Sequence, residues 1–241
     1  MKIKYKKYGD KGVLVQWPAK VNLEVLDEMQ AFIRDVKNTY SDIKVIYHAY
    51  HEVYIEFVNL IHDFTIYKMH LQFIYQSISR QDKEKAVTWI VPVCYDVELV
   101  PDLTPYLETK KLELDEFIHQ HTDRMYNVYF TGFLPGFLYL GGLAESLAID
   151  RKQVPSKKIS KGTVAIGGKQ TGIYPQDSPG GWYGVGYTPI PFFDPRNNEN
   201  PTWAKPGDQL QFKAISSVEL EALENDISLD HYTFQAEEHD G

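Results

Sequence analysis

The chain has 241 residues, of which 43% are hydrophobic and 14% aromatic, and a formal net charge of -8. That much apolar material excludes a disordered chain and suffices for one large domain or two small ones. The charge is uneven: residues 216–241 hold eight of the 33 acids and no Lys or Arg, so the other 25 acids balance the 25 bases. With no basic stripe, nucleic acid is not expected as the main partner. The acidic end reads either as a solvated tail or as a docking element.

No run approaches the roughly 18 uncharged residues of a membrane span, and no apolar leader follows Met1, so a cytoplasmic protein with no membrane partner is expected. Cys94 is the only cysteine, which rules out an internal disulfide. It sits in an apolar run and reads as a buried filler.

Residues 2–5 and 11–17 predict short strands about a Gly9-Asp10 turn. Asn22 then caps a helix in which Leu23, Leu26, Met29, Ile33 and Val36 recur at spacings of three and four. Residues 43–47 and 53–57 predict two more strands. Asp63 opens a second helix with Ile66, Met69, Phe73, Ile74 and Ile78 on one face. Residues 80–85 are charged, without an apolar side chain, and form the expected linker. This gives an α+β N-terminal domain over residues 1–84, read as ferredoxin-like.

A second, mainly β domain is expected over residues 85–225, followed by an acidic C-terminal tail over 226–241. Its first strand, residues 87–95, contains Pro92, which suggests an edge or a bulge. Asp102 and Asp115 each cap a short helix, and residues 126–131 form a strand. Residues 132–140 (GFLPGFLYL) are too aromatic for a plain linker. Residues 151–161 form a basic loop. Residues 162–195 then combine Gly and Pro every few positions with Val164, Ile166, Ile173, Trp182 and Phe193. That combination suits tight turns joining very short buried strands, as in a small barrel. Gly207-Asp208 turns into a closing strand at 209–215, and Ser217 caps a last helix over 218–224.

Within residues 162–195, Gly167, Gly168, Gly180 and Gly181 permit close approach to the main chain, and their N–H groups form a possible anion nest. Gln170 offers the complement of an amide edge and Tyr174 a hydroxyl donor. Arg151 and Lys157 supply positive charge nearby in sequence. The functional reading is a small-molecule pocket lined by Gln170 and Tyr174, with Arg151 or Lys157 meeting an anion. The structural reading is a barrel corner in which Gln170 satisfies buried backbone and the bases are solvated. His121, at a helix end, is the candidate general acid or base, or else a packing residue. His119 and His121 face different ways on a helix, and His48 and His51 lack ligands at zinc spacing, so no metal is expected. Cys94 has no evident His partner, no Ser sits in a Gly-x-Ser-x-Gly elbow, and no phosphate-binding loop is present.

The pairing of Gly132-Phe133-x-Pro135-Gly136-Phe137-x-Tyr139-Leu140 with Ile166-Gly167-Gly168-x-Gln170-Thr171-Gly172-Ile173-Tyr174-Pro175 and Pro179-Gly180-Gly181-Trp182 resembles the KipI / PxpB family, which includes the B component of the bacterial ATP-dependent 5-oxoprolinase and is also labelled allophanate hydrolase subunit 1. The resemblance covers nearly the whole chain. It implies an N-terminal α+β domain followed by a cyclophilin-like barrel. It also implies a subunit that is not an autonomous enzyme, working in a hetero-oligomer with subunit-C-type and subunit-A-type proteins to open the lactam of 5-oxoproline with ATP used by the complex and no cofactor bound by this chain alone. The other activity it implies is inhibition of a sensor histidine kinase, as in the KipI branch. Fold analogy to cyclophilins suggests peptidyl-prolyl isomerisation, the weakest of the three readings. The family carries an arginine where this chain has Ser156, which transfers the anion contact to Lys157 or Arg151. The aromatic loop at 133–139 is either a partner interface or a flap folded over the barrel mouth.

Overall fold

The computed structural model describes residues 3–19, 22–79, 86–197, 201–229, 233 and 235–239. The chain divides into two compact units, with the boundary between Lys85 and Ala86. The expected linker at 80–85 lies outside the described residues.

The first unit contains β1 (Lys4–Tyr8), β2 (Gly12–Gln16), α1 (Leu23–Thr39), β3 (Ile43–His48), β4 (Glu52–Phe57) and α2 (Phe64–Ser77). The strands form one antiparallel sheet in the order β1-β2-β4-β3. Strands β2, β4 and β3 with the two helices keep the ferredoxin-like arrangement, and β1, first in the chain, fills the place that fold gives to its last strand. Asn22 caps α1 by accepting from the Val25 N–H at 3.0 Å, and Asp63 caps α2 by accepting from the Thr65 N–H at 2.8 Å. In α2 the buried stripe is not the expected one. Ile66, Met69 and Phe73 are exposed, while Leu71 and Ile74 are buried. Tyr67 and Tyr75, on the same face as these two, meet Phe57 and Trp17 edge to face. Two bulky aromatic rings reach the core from this face together with Leu71 and Ile74, and Ile66, Met69 and Phe73 are left outside.

The second unit begins with β5 (Ala86–Cys94), α3 (Leu103–Lys110), α4 (Leu114–Thr122), β6 (Met125–Thr131), β7 (Leu138–Gly141) and β8 (Ser156–Ile159). It continues with β9 (Thr163–Gly167), β10 (Gln170–Ile173), β11 (Ser178–Gly180), β12 (Tyr183–Tyr187), β13 (Gln209–Ile215), α5 (Ser217–Ser228) and β14 (Gln235–His239). Seven strands, β12-β9-β10-β7-β6-β13-β5, close into a barrel through the pairing of Tyr187 with Cys94. β8 and β11 form a separate two-stranded ribbon. Val91, Val93, Val128, Leu138, Leu140, Val164, Ile166, Ile173, Val185, Leu210 and Phe212 fill the interior, as side chains do in a barrel this small. Cys94 is buried at the seam.

This arrangement decides several expectations. Residues 235–239, part of the acidic end read either as a solvated tail or as a docking element, form β14 on the open edge of β5 at Ala86–Ile90. Pro92 lies between the segments of β5 paired by β14 and by β12, where a residue with no N–H leaves no ladder bond unmade. The last helix is capped by Ser216, which forms a capping box with Glu219. Asp102 makes no capping bond to α3, because its carboxylate is used elsewhere. Among the described residues no helix is long and apolar enough to cross a membrane.

Candidate functional site

Side chains alternate along a strand, so each short strand of the 162–195 stretch serves two faces. In β9, Val164 and Ile166 face the barrel interior and Ala165 faces out. In β7, Leu138 and Leu140 face in and Tyr139 faces out. Ile173 faces in, and Tyr174, next in the chain, faces out. The outward set forms a second apolar cluster of Phe137, Ile159, Ala165, Tyr174 and Trp182, with Leu134 and Tyr139 against it. A cavity of about 340 Å³ opens beside this cluster, at the low end of the size usual for ligand pockets. The cavity therefore lies on the outer face of the barrel sheet, and the aromatic loop at 133–139 walls it instead of closing the barrel mouth.

Its walls are largely aromatic. Phe133, Phe137, Tyr139, Tyr174 and Trp182 line it, with Pro155, Pro179 and the backbone of Gly180 and Gly181. Phe137 meets Tyr174 at 5.2 Å and Trp182 at 5.5 Å between ring centres, both edge to face. Phe133 is held at φ 67°, with the Leu134 N–H donating to the Gly132 carbonyl at 2.8 Å. This is the rarer, strained form of the γ-turn. It leaves Phe133 60% exposed at the rim, against Phe137 and Tyr174.

The polar groups are few. Arg151 is exposed and carries its guanidinium carbon 5.7 Å from the centre of the Trp182 ring system. It makes no ion pair or hydrogen bond among the described residues. Lys152 donates to Asp102 at 2.6 Å and to the Ser156 hydroxyl at 2.7 Å. The same Asp102 oxygen accepts from the Gly184 N–H at 3.2 Å. Tyr174 is 2% exposed, and its hydroxyl makes no hydrogen bond among the described residues but is not sealed from solvent. Burial, reinforced by Tyr139, pushes its pKa up to about 12, against the pull of Arg151, so the hydroxyl stays a neutral donor.

Of the residues expected from sequence, the structure brings Tyr174, Arg151, Gly180 and Gly181 together around this cavity. It places Gln170, Lys157, Gly167 and Gly168 elsewhere. Gln170 is at the far end of β10, opposite Gly167, while Tyr174 lies at the cavity end. Lys157 is exposed on β8 and not among the lining residues. Gly168 turns the β9–β10 hairpin at φ 64°, and its N–H is bonded to the Ile149 carbonyl at 2.6 Å, so it is not free to hold an anion. Gly167 gives its space to Trp182, whose indole a Cβ would meet.

His121, the expected acid or base, is in the barrel core and fully buried. Its ring stacks on Phe212 with centres 4.8 Å apart and planes at 8°. The Thr171 hydroxyl donates to the Ala165 carbonyl at 3.1 Å, so it can only accept from His121 Nε2–H at 3.5 Å. Nδ1 then accepts from the Tyr95 hydroxyl at 2.8 Å. Burial lowers the His121 pKa to about 3, which keeps the ring neutral. It is a packing residue. Among the described residues no group of three His, Cys, Asp or Glu side chains could hold a metal ion.

Sequence reasoning passed over Lys152, treated Trp182 as apolar weight, and took the 133–139 aromatics as a partner interface or a flap over the barrel mouth. The period-2 alternation of β7, β9 and β10 was the signal that separated them from the barrel core.

Residues 3–204 match the family model of the carboxyltransferase domain, subdomain C and D. The B component of the Bacillus subtilis 5-oxoprolinase is 41% identical over 136 residues, 56% of this chain and 56% of that protein. The chain thus spans about half the length of the curated relatives it matches. The conserved uncharacterized protein PH0987 from Pyrococcus horikoshii superposes with a TM-score of 0.53 at 32% identity, over 90% of this chain and 100% of that one. The Kluyveromyces lactis urea amidolyase shares the fold, with a TM-score of 0.80 at 19% identity over 98% of this chain and 16% of that larger protein. One of these relatives is therefore named as a component of an enzyme and another is a much larger protein that contains this fold. The resemblance to KipI / PxpB proteins is matched by these relatives, and the chain belongs to the family of the carboxyltransferase domain, subdomain C and D.

Proposed function

We propose that this chain is the B component of an ATP-dependent 5-oxoprolinase and contributes the outer-face cavity to the complex that opens the lactam to L-glutamate. The observation that carries the reading is the 41% identity to the B component of the Bacillus subtilis 5-oxoprolinase. The chemistry of the cavity agrees with it. Opening a lactam requires the ring to be oriented, its carbonyl polarised and water controlled. Aromatic walls exclude water, the Tyr174 hydroxyl offers a donor to a carbonyl, and Arg151 offers a cation. The overall reaction consumes ATP and two waters, breaks the ring C–N bond, and yields glutamate, ADP and phosphate. In this reading ATP binds to another subunit, and subunit-A-type and subunit-C-type proteins complete the machinery.

Co-expression with those two partners tests it. The reconstituted complex is expected to release glutamate from 5-oxoproline only with ATP and only when this chain is present. Full activity without the chain overturns the proposal, as does inhibition of a histidine kinase by a chain that supports no glutamate release.

A further inference from the structure

We infer that the outer-face cavity is an anchor for one carboxylate on a small planar ring, and that this chain binds such a ligand with neither ATP nor a partner. The inference rests on the reading above only for its choice of probe, since 5-oxoproline is one such ligand.

The charge balance sets the class of ligand. Two cations line the cavity, but they are not equivalent. Lys152 is neutralised by Asp102 at 2.6 Å, with its side chain only 14% exposed. Arg151 has no carboxylate partner among the described residues, and the Trp182 ring at 5.7 Å holds its guanidinium in place. A planar fork fixed in this way suits bidentate contact with a carboxylate. One uncommitted cation matches one negative charge. A phosphate would leave a second charge uncompensated against aromatic walls. Tyr174 is a second, independent sign of a ligand: its side chain is nearly wholly buried and lines the same cavity, while its hydroxyl makes no hydrogen bond among the described residues and keeps access to solvent. It is placed to donate to an amide carbonyl whose ring lies against Phe137 and Trp182.

The test is calorimetric titration of the purified full chain with 5-oxo-L-proline, its methyl ester and inorganic phosphate. The acid is expected to bind, with the ester and phosphate weaker by at least about tenfold, the loss typical of a charged hydrogen bond. R151Q is expected to abolish this preference and R151K to retain part of it. Y174F is expected to weaken acid and ester alike. Thermal midpoints of the three variants verify folding, and Arg151 is exposed, so R151Q should melt like the parent. Equal binding of acid and ester, undiminished binding by R151Q, or no binding of the acid at millimolar concentration overturns the inference. The two proposals fail separately. A chain that binds the acid but supports no glutamate release loses only the oxoprolinase reading. An active complex whose isolated chain binds nothing loses only this one.

Discussion

Lys152, which lines the cavity, meets Asp102 at 2.6 Å, and the same carboxylate oxygen takes the Gly184 N–H at 3.2 Å. The pair ties the 151–155 loop to the start of α3 and to β12, and it withdraws one of the cavity's two cations from ligand binding. Replacing Lys152 with Met is expected to cost about 1–2 kcal/mol, because the pair is only partly buried. Replacing Arg151 with Gln should change stability by less than ~0.5 kcal/mol, as at other exposed positions. Urea unfolding of both variants measures this. Equal losses would show that the two bases do not divide the work.

His121 makes stability depend on pH. Its folded pKa, about 3, lies below the ordinary 6.5, so the unfolded chain binds the proton first. Stability is therefore full above about pH 6.5 and falls as pH drops toward 3. Between pH 7 and pH 5 the contribution lost is about 2 kcal/mol. His121→Gln should flatten that part of the urea-midpoint profile, whatever it costs at pH 7. An unchanged slope would mean that the imidazole titrates normally in the folded chain.

Gly167 makes room for Trp182. A Cβ there would fall within the indole, so the ring must shift if alanine is introduced. Gly167→Ala is expected to cost about 1–3 kcal/mol as an overpacking change. It should also alter the near-ultraviolet circular dichroism and reduce ligand binding, although Gly167 does not itself line the cavity. A variant with the parent's spectrum and stability would contradict the packing described.

Phe133 and Phe137 lie four residues apart and should respond in opposite ways. Phe137 is 1% exposed, so Phe137→Asp is expected to unfold the cavity wall at a cost of about 3–5 kcal/mol or more. The test of a partner interface at this loop therefore belongs to Phe133. Phe133→Gly removes an exposed ring and relieves a residue at φ 67°, so the melting temperature should hold or rise. Its effect should appear in ligand or partner affinity. A marked drop in melting temperature would show that the ring is structural.

The residue pattern alone determined the number and kind of units, because caps, turns and periodicity are local. Asn22 and Asp63 cap their helices as their positions predicted. The short apolar strands punctuated by Gly and Pro at 162–195 became the barrel strands β9, β10 and β12. Which polar groups converge was decided only by tertiary structure. Gln170 and Tyr174 lie on one face of β10 and its extension, but four residues of strand separate them by about 13 Å. Residues 151–161 offered several bases, and the β8–β11 ribbon together with Asp102 determined that Arg151 and Lys152 reach the cavity while Lys157 does not. The C-terminal acids read as a solvated tail or as a docking element, and nothing local decides between them or shows that β5 has an open edge for β14. Strand pairing and burial depend on residues distant in sequence, and a single sequence does not record those distances.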